Sequence, residues 1–377
     1  MPPADPLLKV LVLYGTRPEA IKMAPVAAAL RRRAGRFALT VATTAQHREL
    51  LGPAQELLGL RPDVDLDLIR PDQTLNGFTA LAFAALDRLL AERAPDWLLV
   101  QGDTTSAMAG AFAAFHRRVR VGHVEAGLRT GDLTQPFPEE ANRRAVDLLA
   151  DALFAPTARA RDNLLAEGVP AARVHLTGNT GIDALHRIAA LLPEEPPEEE
   201  PGGGDVLVTL HRRESFGAPL AGIFAALRDL ALAFPAVRFV YPVHPNPQVR
   251  EPAHRLLAGL ANLELHPPFD YLELVRRLRA ARLVLTDSGG LQEEAPAFGK
   301  PVLVLREKTE RPEGIDAGVA QLVGTDRARI VAAVARLLTD EAAWRAMAHA
   351  ASPYGDGHAG ERIAGILAGE TVTPFRG

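Results

Sequence analysis

The chain has 377 residues, 47% of them hydrophobic and 23% charged, with a formal net charge of −4 and no cysteine. At ~100–200 residues per domain, this length predicts two domains, each able to bury its own core, and the ordinary composition excludes a disordered or fibrous chain. No apolar run reaches the ~18–20 residues of a membrane helix, Met1–Pro6 starts no secretory signal, and zero cysteine removes disulfides, thiolate nucleophiles and Cys-ligated metal centres. The near balance of charge speaks against a nucleic-acid partner. A cytoplasmic protein is expected.

The first half alternates short apolar runs with helical periodicity. A strand at Lys9–Tyr14 runs into Gly15, a helix over Pro18–Arg33 carries Pro25 within it, and a strand follows at Leu39–Thr43. Gly77–Arg93 is an amphipathic helix and Trp97–Val100 a buried strand. Then come helix Thr105–Arg117, strand Arg120–Val124, helix Pro138–Ala150, strand Ala152–Ala155, helix Ala158–Glu167, strand Val174–Thr177 and helix Ile182–Leu192. Apolar strands alternating with helices predict a parallel sheet covered on both faces. Residues 193–204, dense in Pro, Glu and Gly, cannot build a core and read as a solvated linker. The alternation restarts with strand Asp205–Leu210, helix Pro219–Ala233 and strands Val237–Tyr241, Leu263–His266, Arg282–Thr286 and Pro301–Leu305. One long helix over Asp326–Met347 and a last helix from Gly360 to about Leu367 complete the chain. The expected fold class is α/β: two Rossmann-like doubly wound domains, residues 1–192 and 205–359, facing a cleft at the carboxyl ends of their strands.

A G-x-G-x-x-G at Gly355, Gly357 and Gly360 follows Ser352-Pro353-Tyr354 rather than a strand, and no acidic residue stands ~20 positions beyond it, so it is not a dinucleotide fingerprint. The first strand leads instead into Gly15-Thr16-Arg17-Pro18, which disfavours a nicotinamide-dependent dehydrogenase. The zinc-protease, P-loop and nucleophile-elbow signatures are missing as well. What remains is a set of polar residues at strand ends: Gly102-Asp103-Thr104-Thr105, the run His123–Gly127 with Glu125, His211-Arg212-Arg213-Glu214, and Asp287-Ser288-Gly289-Gly290. Each alone reads as a helix cap or a strand-end hydrogen bond. Four together, expected at one cleft, point to a site.

The Ser288-Gly289-Gly290 turn suits an anion, because backbone N–H groups can approach it closely and the helix dipole favours it. Glu293 and Glu294 follow in the first helical turns, where a carboxylate beside a phosphate site suits a ribose diol. Glu139 and Arg143 share a helix face, as do Glu140 and Arg144. These pairs read either as surface ion pairs or as one pair turned toward the cleft. Arg17, Lys22, Arg212, Arg213 and Arg311 fall at the expected cleft rim, with Arg17 in the turn after strand one. Gln46 and His244 read equally well as cap or core residues.

The runs GTRPEAIKMAP (Gly15–Pro25), TAQHRE (Thr44–Glu49), GDTT (Gly102–Thr105), GHVEAGLRTGD (Gly122–Asp132), PEEANR (Pro138–Arg143), HRRESFG (His211–Gly217), SGGLQEEAP (Ser288–Pro296), TERPE (Thr309–Glu313) and YGDG (Tyr354–Gly357) stand in one order along nearly the whole chain. Together they resemble the non-hydrolysing UDP-N-acetylglucosamine 2-epimerases. The resemblance implies a glycosyltransferase-B-like fold, a homodimer, no cofactor or metal, and a C-terminal helix, 360–377, that packs back onto the N-terminal domain. It implies catalytic roles for Asp103, Glu125, Glu139 and His211. Arg17, Lys22, Arg143, Ser288, Gly289, Gly290, Glu294 and Arg311 match nucleotide-binding positions, with Glu294 on the ribose and the uracil held from the segment Phe269–Leu274. The family carries an aromatic where Leu274 stands, so this chain departs from the pattern there. Gln46, Gln73, Arg212 and His244 match positions that hold a second, activating UDP-N-acetylglucosamine in some members.

The activity implied is reversible epimerisation at C2 between UDP-N-acetylglucosamine and UDP-N-acetylmannosamine, as precursor supply for a cell-surface polysaccharide. Its route in the family is elimination of UDP to 2-acetamidoglucal and re-addition. The alternatives are a UDP-sugar glycosyltransferase of the same fold, a hydrolysing 2-epimerase that releases free sugar, and a non-catalytic sugar-nucleotide sensor. A sensor would have no use for all of Asp103, Glu125 and Glu139.

Overall fold

The computed structural model describes residues 6–45, 56–193, 204–212 and 216–377. Contacts divide the chain into unit 1, residues 1–187 with 355–377, and unit 2, residues 188–354. The segment 193–204, expected as a linker, lies almost wholly outside the described residues, as does Gln46.

Unit 1 is built from β1 (Leu8–Tyr14), α1 (Arg17–Arg32), β2 (Phe37–Thr43), β3 (Val64–Asp65), α2 (Leu75–Arg93), β4 (Trp97–Gln101), α3 (Thr105–His116), β5 (Arg120–Val124), α4 (Glu139–Leu149), β6 (Ala152–Ala155), α5 (Ala158–Ala166), β7 (Val174–Leu176) and α6 (Thr180–Ala189). Its seven strands run in the order β3-β2-β1-β4-β5-β6-β7, all paired in parallel. Val10 to Tyr14 of β1 and all of β4 are buried, as strands covered by helices on both faces must be. Leu11, Leu98, Val100, Leu86 and Leu153 centre its core.

Unit 2 comprises β8 (Asp205–Thr209), α7 (Ala218–Ala233), β9 (Phe239–Pro242), α8 (Pro247–Leu257), β10 (Leu263–His266), α9 (Tyr271–Ala280), β11 (Ala281–Thr286), the short α10 (Gly289–Glu294), β12 (Val302–Val304), α11 (Pro312–Asp316), β13 (Ala320–Leu322), α12 (Arg327–Thr339) and α13 (Glu341–Ala348). Its six strands, again parallel, run β10-β9-β8-β11-β12-β13. Val208, Phe224, Leu227, Tyr241 and Leu285 lie at its centre. The last helix, α14 (Ala359–Leu367), belongs to unit 1. It crosses α1 where Gly360 meets Pro25: a Cβ at Gly360 would stand 2.9 Å from the Pro25 carbonyl.

Both sheets are doubly wound, and each therefore has a switch point where consecutive connections leave in opposite directions. In unit 1 it lies between β1 and β4, in unit 2 between β8 and β11. The single long helix expected over Asp326–Met347 is two. Asp340 leaves helical geometry and its side chain accepts from the Ala343 N–H at 3.0 Å, capping α13. Periodicity continues through such a break because the buried face is the same. The short strands β3 and β13 carry two and three residues, too few to show a period of their own.

Candidate active site

At the unit 1 switch point, three loops bring charged groups together. The turn after β1 places Thr16 before α1, and Glu19 reaches back to take the N–H of Gly15 at 3.1 Å and of Thr16 at 2.7 Å through Oε2. Its Oε1 accepts from the Thr104 hydroxyl at 2.7 Å, which ties this turn to the one after β4. Glu19 is wholly enclosed, and burial pushes its carboxyl up against the lowering effect of these hydrogen bonds. In a dinucleotide-binding fold the N–H groups of this first turn receive a pyrophosphate. Here an internal carboxylate occupies them.

The turn after β4 carries Asp103. Its carboxylate Oδ2 accepts from two guanidinium nitrogens of Arg143, Nε at 3.1 Å and Nη2, while its backbone carbonyl accepts from Asn142 Nδ2 at 2.9 Å. Glu125, directly after β5, has a left-handed backbone (φ 68°), a conformation that costs a non-glycine residue roughly 1–2 kcal/mol. Bonds from its own N–H and that of Ala126 to the Phe154 carbonyl, both 3.1 Å, hold the turn in place. Glu125 is paired through one oxygen with Lys22 Nζ and through the other with Gln101 Nε2. Both carboxylates thus have a cationic neighbour, and both are little exposed, 27% for Asp103 and 10% for Glu125.

Glu139 opens α4, reached through a loop with cis peptides before Pro136 and Pro138. The two i,i+4 pairs of this helix separate. Glu140, fully buried, takes both Arg143 (3.2 Å) and Arg144 (3.0 Å) as well as the N–H groups of Thr130 and Gly131, whereas Arg143 also grips Asp103. Burial raises the Glu140 carboxyl, but these donors outweigh it and hold it below the usual range. Arg17 stands at the first position of α1.

The unit 2 switch point has a different make-up. Asp287, at the end of β11 and fully buried, accepts from the backbone N–H of His211 (3.0 Å) and of Arg212 (2.9 Å), the two residues that follow β8 by one position. The His211 ring also turns Nδ1 to Asp287 Oδ1 at 3.0 Å, which leaves Nε2 for a ligand. Burial pushes the Asp287 carboxyl up, but the His211 side chain and the two N–H groups pull it below its ordinary value. The His211 side chain itself is 42% exposed.

Beside this pair lies the Ser288-Gly289-Gly290 turn. Neither glycine has a positive φ, and a Cβ would meet only Arg212 Nη2 at 3.6 Å or Ser288 Oγ at 3.8 Å, so neither backbone strain nor protein packing requires glycine there. That open room beside backbone N–H groups and the Arg212 guanidinium suits an anionic ligand. Glu294 accepts from the Tyr271 hydroxyl at 3.1 Å, and Arg311 is paired through Nε with Glu293. Thr309 links the two segments, with its hydroxyl 2.5 Å from Gln292 Oε1 and accepting from the Arg311 N–H at 3.0 Å. Arg277 packs over Phe269 at 5.6 Å, and Leu274 sits in the first turn of α9.

Unit 1 therefore brings Lys22, Glu125, Asp103 and Arg143 together, and unit 2 gathers His211 and the Ser288–Gly290 turn, with Tyr271 on Glu294. Gln73 bonds to the Leu68 carbonyl at 3.1 Å in unit 1, and His244 Nδ1 accepts from the Asn246 N–H at 3.2 Å in unit 2. Arg213 lies outside the described residues. Sequence reading missed Glu19, Gln101, Asn142 and Tyr271, and gave His123 no role beyond its place in a strand-end run. Of these only Glu19 carries a local signal, the T-x-x-E spacing of a capping box. Among the described residues no group of His, Asp and Glu is arranged to hold a metal ion.

Two all-parallel doubly wound units with polar residues at both switch points define a protein of glycosyltransferase-B-like fold. The solved structure of the glycotransferase of kitacinnamycin, only 15% identical, shares that fold with a TM-score of 0.63 over 96% of this chain and 98% of that one. The family model for UDP-N-acetylglucosamine 2-epimerase matches residues 28–368, and the chain belongs to this family. The UDP-N-acetylglucosamine 2-epimerase of Yersinia pestis is 49% identical over 97% of this chain and all of its own length. The crystal structure of UDP-GlcNAc 2-epimerase from Neisseria meningitidis bound to UDP-GlcNAc is 41% identical, with a TM-score of 0.84 over 96% of this chain and 100% of that one.

Proposed function

We propose that this chain interconverts UDP-N-acetylglucosamine and UDP-N-acetylmannosamine, feeding the synthesis of a cell-surface polysaccharide. The observation that carries this reading is the cation-paired carboxylates Asp103 and Glu125 at one switch point of a member of this family, with the Asp287-bound His211 at the other. The proton on sugar C2 is not acidic, because no carbonyl adjoins that carbon. Expulsion of UDP changes this, since positive charge developing at C1 makes the C2 proton removable. A base takes that proton, the C1–O bond breaks with its electron pair leaving on UDP, and 2-acetamidoglucal remains. Protonation at the opposite face of C2 and attack of the UDP oxygen on C1 complete the exchange.

The residues divide this work. Asp103, Glu125 and Glu139 supply acid and base to the sugar, with Asp103 held by Arg143 and Glu125 by Lys22. His211 assists the departing phosphate, its ring oriented by Asp287 as in other His–carboxylate pairs. The Ser288–Gly290 turn, with Arg17 and Arg311, takes the diphosphate, and Glu294 takes the ribose. Lys22 and Arg143, matched to nucleotide positions by resemblance, are paired with Glu125 and Asp103 here, which supports a role in holding those carboxylates. A homodimer is expected from the family and is checked by light scattering.

Proton NMR of the protein with UDP-N-acetylglucosamine in D₂O, without added cofactor, metal or acceptor, tests the reading. The expected result is the manno epimer still attached to UDP, with deuterium at C2. No exchange at C2 overturns it. Free N-acetylmannosamine replaces it with the hydrolysing activity.

A further inference from the structure

Behind the unit 1 carboxylates lies a histidine that the proposed chemistry does not use. His123, on β5 two residues before Glu125, has no exposed surface. Its Nε2 stands 2.8 Å from the Gly102 carbonyl oxygen and its Nδ1 2.6 Å from Asp147 Oδ1. A carbonyl oxygen only accepts, so Nε2 carries a proton. Nδ1 then shares one further proton with the Asp147 carboxyl. The other oxygen of that carboxyl receives Arg129 Nη1 at 2.7 Å and the Gly127 N–H at 3.2 Å. Burial raises Asp147, but His123 and Arg129 outweigh it and hold it below its ordinary value. Imidazole is the stronger base of the two even without that help. The shared proton therefore belongs to the ring.

On the side of His123 that faces the candidate site stands Gly102. A Cβ on Gly102 would sit 3.5 Å from Glu125 Oε2, and its carbonyl belongs to the peptide that leads into Asp103. On the far side, Asp147, Arg129 and Glu167 continue a chain of alternating charge, with Arg129 bound to both Glu167 oxygens at 2.8 and 2.7 Å.

We infer that His123 is held as an imidazolium and is a positioning residue for Asp103 and Glu125, fixing the Gly102 carbonyl and setting a positive charge one peptide away from both carboxylates. This rests on the acid–base reading of those two residues. The ring acts through the Gly102 peptide, without a contact from His123 to the sugar.

Two measurements on the full chain test it. In protein labelled with ¹⁵N-histidine, one ring should keep both N–H protons at pH 8.5 and exchange them slowly, and its signals should be missing from His123→Gln. The glutamine can still donate to the Gly102 carbonyl but carries no charge. In that variant kcat should fall about 10-fold or more with KM nearly unchanged, and the acid limb of the pH profile should move upward, because loss of a nearby cation raises a carboxyl pKa. A slowly exchanging ring that is neutral at pH 8.5 overturns the imidazolium. A folded variant with an unaltered acid limb overturns the positioning role. Should the variant not fold, the ring of the unaltered protein still decides. Its protonation is read without turnover, so failure here is distinguishable from failure of the epimerase reading.

Discussion

The first turn of each unit is built on the same plan and used differently. After β1 the N–H groups of Gly15 and Thr16 are taken by Glu19, and after β8 those of His211 and Arg212 are taken by Asp287. In both, a protein carboxylate fills a position that a phosphate takes in dinucleotide-binding folds. Glu19 comes from its own helix, is sealed in, and has its carboxyl pushed up by burial. Asp287 comes from the neighbouring strand, is pulled down by its donors, and orients a half-exposed histidine. The unit 1 plug is enclosed, and the cation-paired carboxylates Asp103 and Glu125 stand instead just after β4 and β5. In unit 2 the plug is itself bonded to the His211 ring. Beside it lies the Ser288–Gly290 turn, where neither glycine is claimed by the protein.

That contrast can be broken in order of expected effect. Asp103→Asn or Glu125→Gln should lower turnover by about 10²–10⁴-fold while calorimetry finds UDP affinity nearly unchanged; a large loss of UDP affinity reassigns that residue to the nucleotide. Asp287→Asn keeps an acceptor for the turn but upsets the His211 tautomer, and kcat should fall by about 10²-fold or more with little change in melting temperature. Glu19→Ala should do the reverse in emphasis. It orphans two enclosed N–H groups and the Thr104 hydroxyl, so chemical denaturation should register a loss of roughly 2–4 kcal/mol. If Glu19→Ala is stable but cannot bind UDP, the plug assignment is wrong.

Smaller effects sharpen the picture. Asp183 accepts from the N–H groups of Gly360 (2.7 Å) and Ala359 (3.2 Å) at the start of α14, and burial pushes its carboxyl from 3.8 to about 6. A carboxyl whose native pKa is raised favours the fold when protonated. Its contribution is complete below about pH 4 and lost as pH rises through about 6. Melting curves of Asp183→Asn against the unaltered protein should therefore diverge across that window, the variant gaining relative stability with rising pH, by at most about 3 kcal/mol. A constant difference across the window rejects the raised carboxyl. The mildest change, Tyr271→Phe, removes one hydrogen bond to Glu294 and should weaken UDP binding about 3–10-fold, with no effect on melting.

The alternation of strands and helices was legible because each buried strand is a run of apolar residues and each helix keeps a 3.6-residue period. The strand-end groups Asp103, Glu125, His211 and Ser288–Gly290 were legible for a related reason, since polar residues directly after an apolar run stand out. The supporting contacts were not. Nothing in the local pattern of His123, Gln101 or Asn142 announces which loop it will meet, because those contacts join residues from 21 to 39 positions apart. The break at Asp340 was hidden for the opposite reason, a periodicity that ran on unbroken across a cap.

The return of α14 to unit 1 has a consequence for biosynthesis. A ribosome reads this chain from one end, and residues 188–354 emerge as a complete α/β unit. Unit 1, although begun first, still lacks the helix that lies against Pro25, the backbone donors to Asp183 and the Phe375 N–H that bonds to Leu176. Its apolar α1 surface waits uncovered until α14 has been made. Of the two units, the one begun first is completed second.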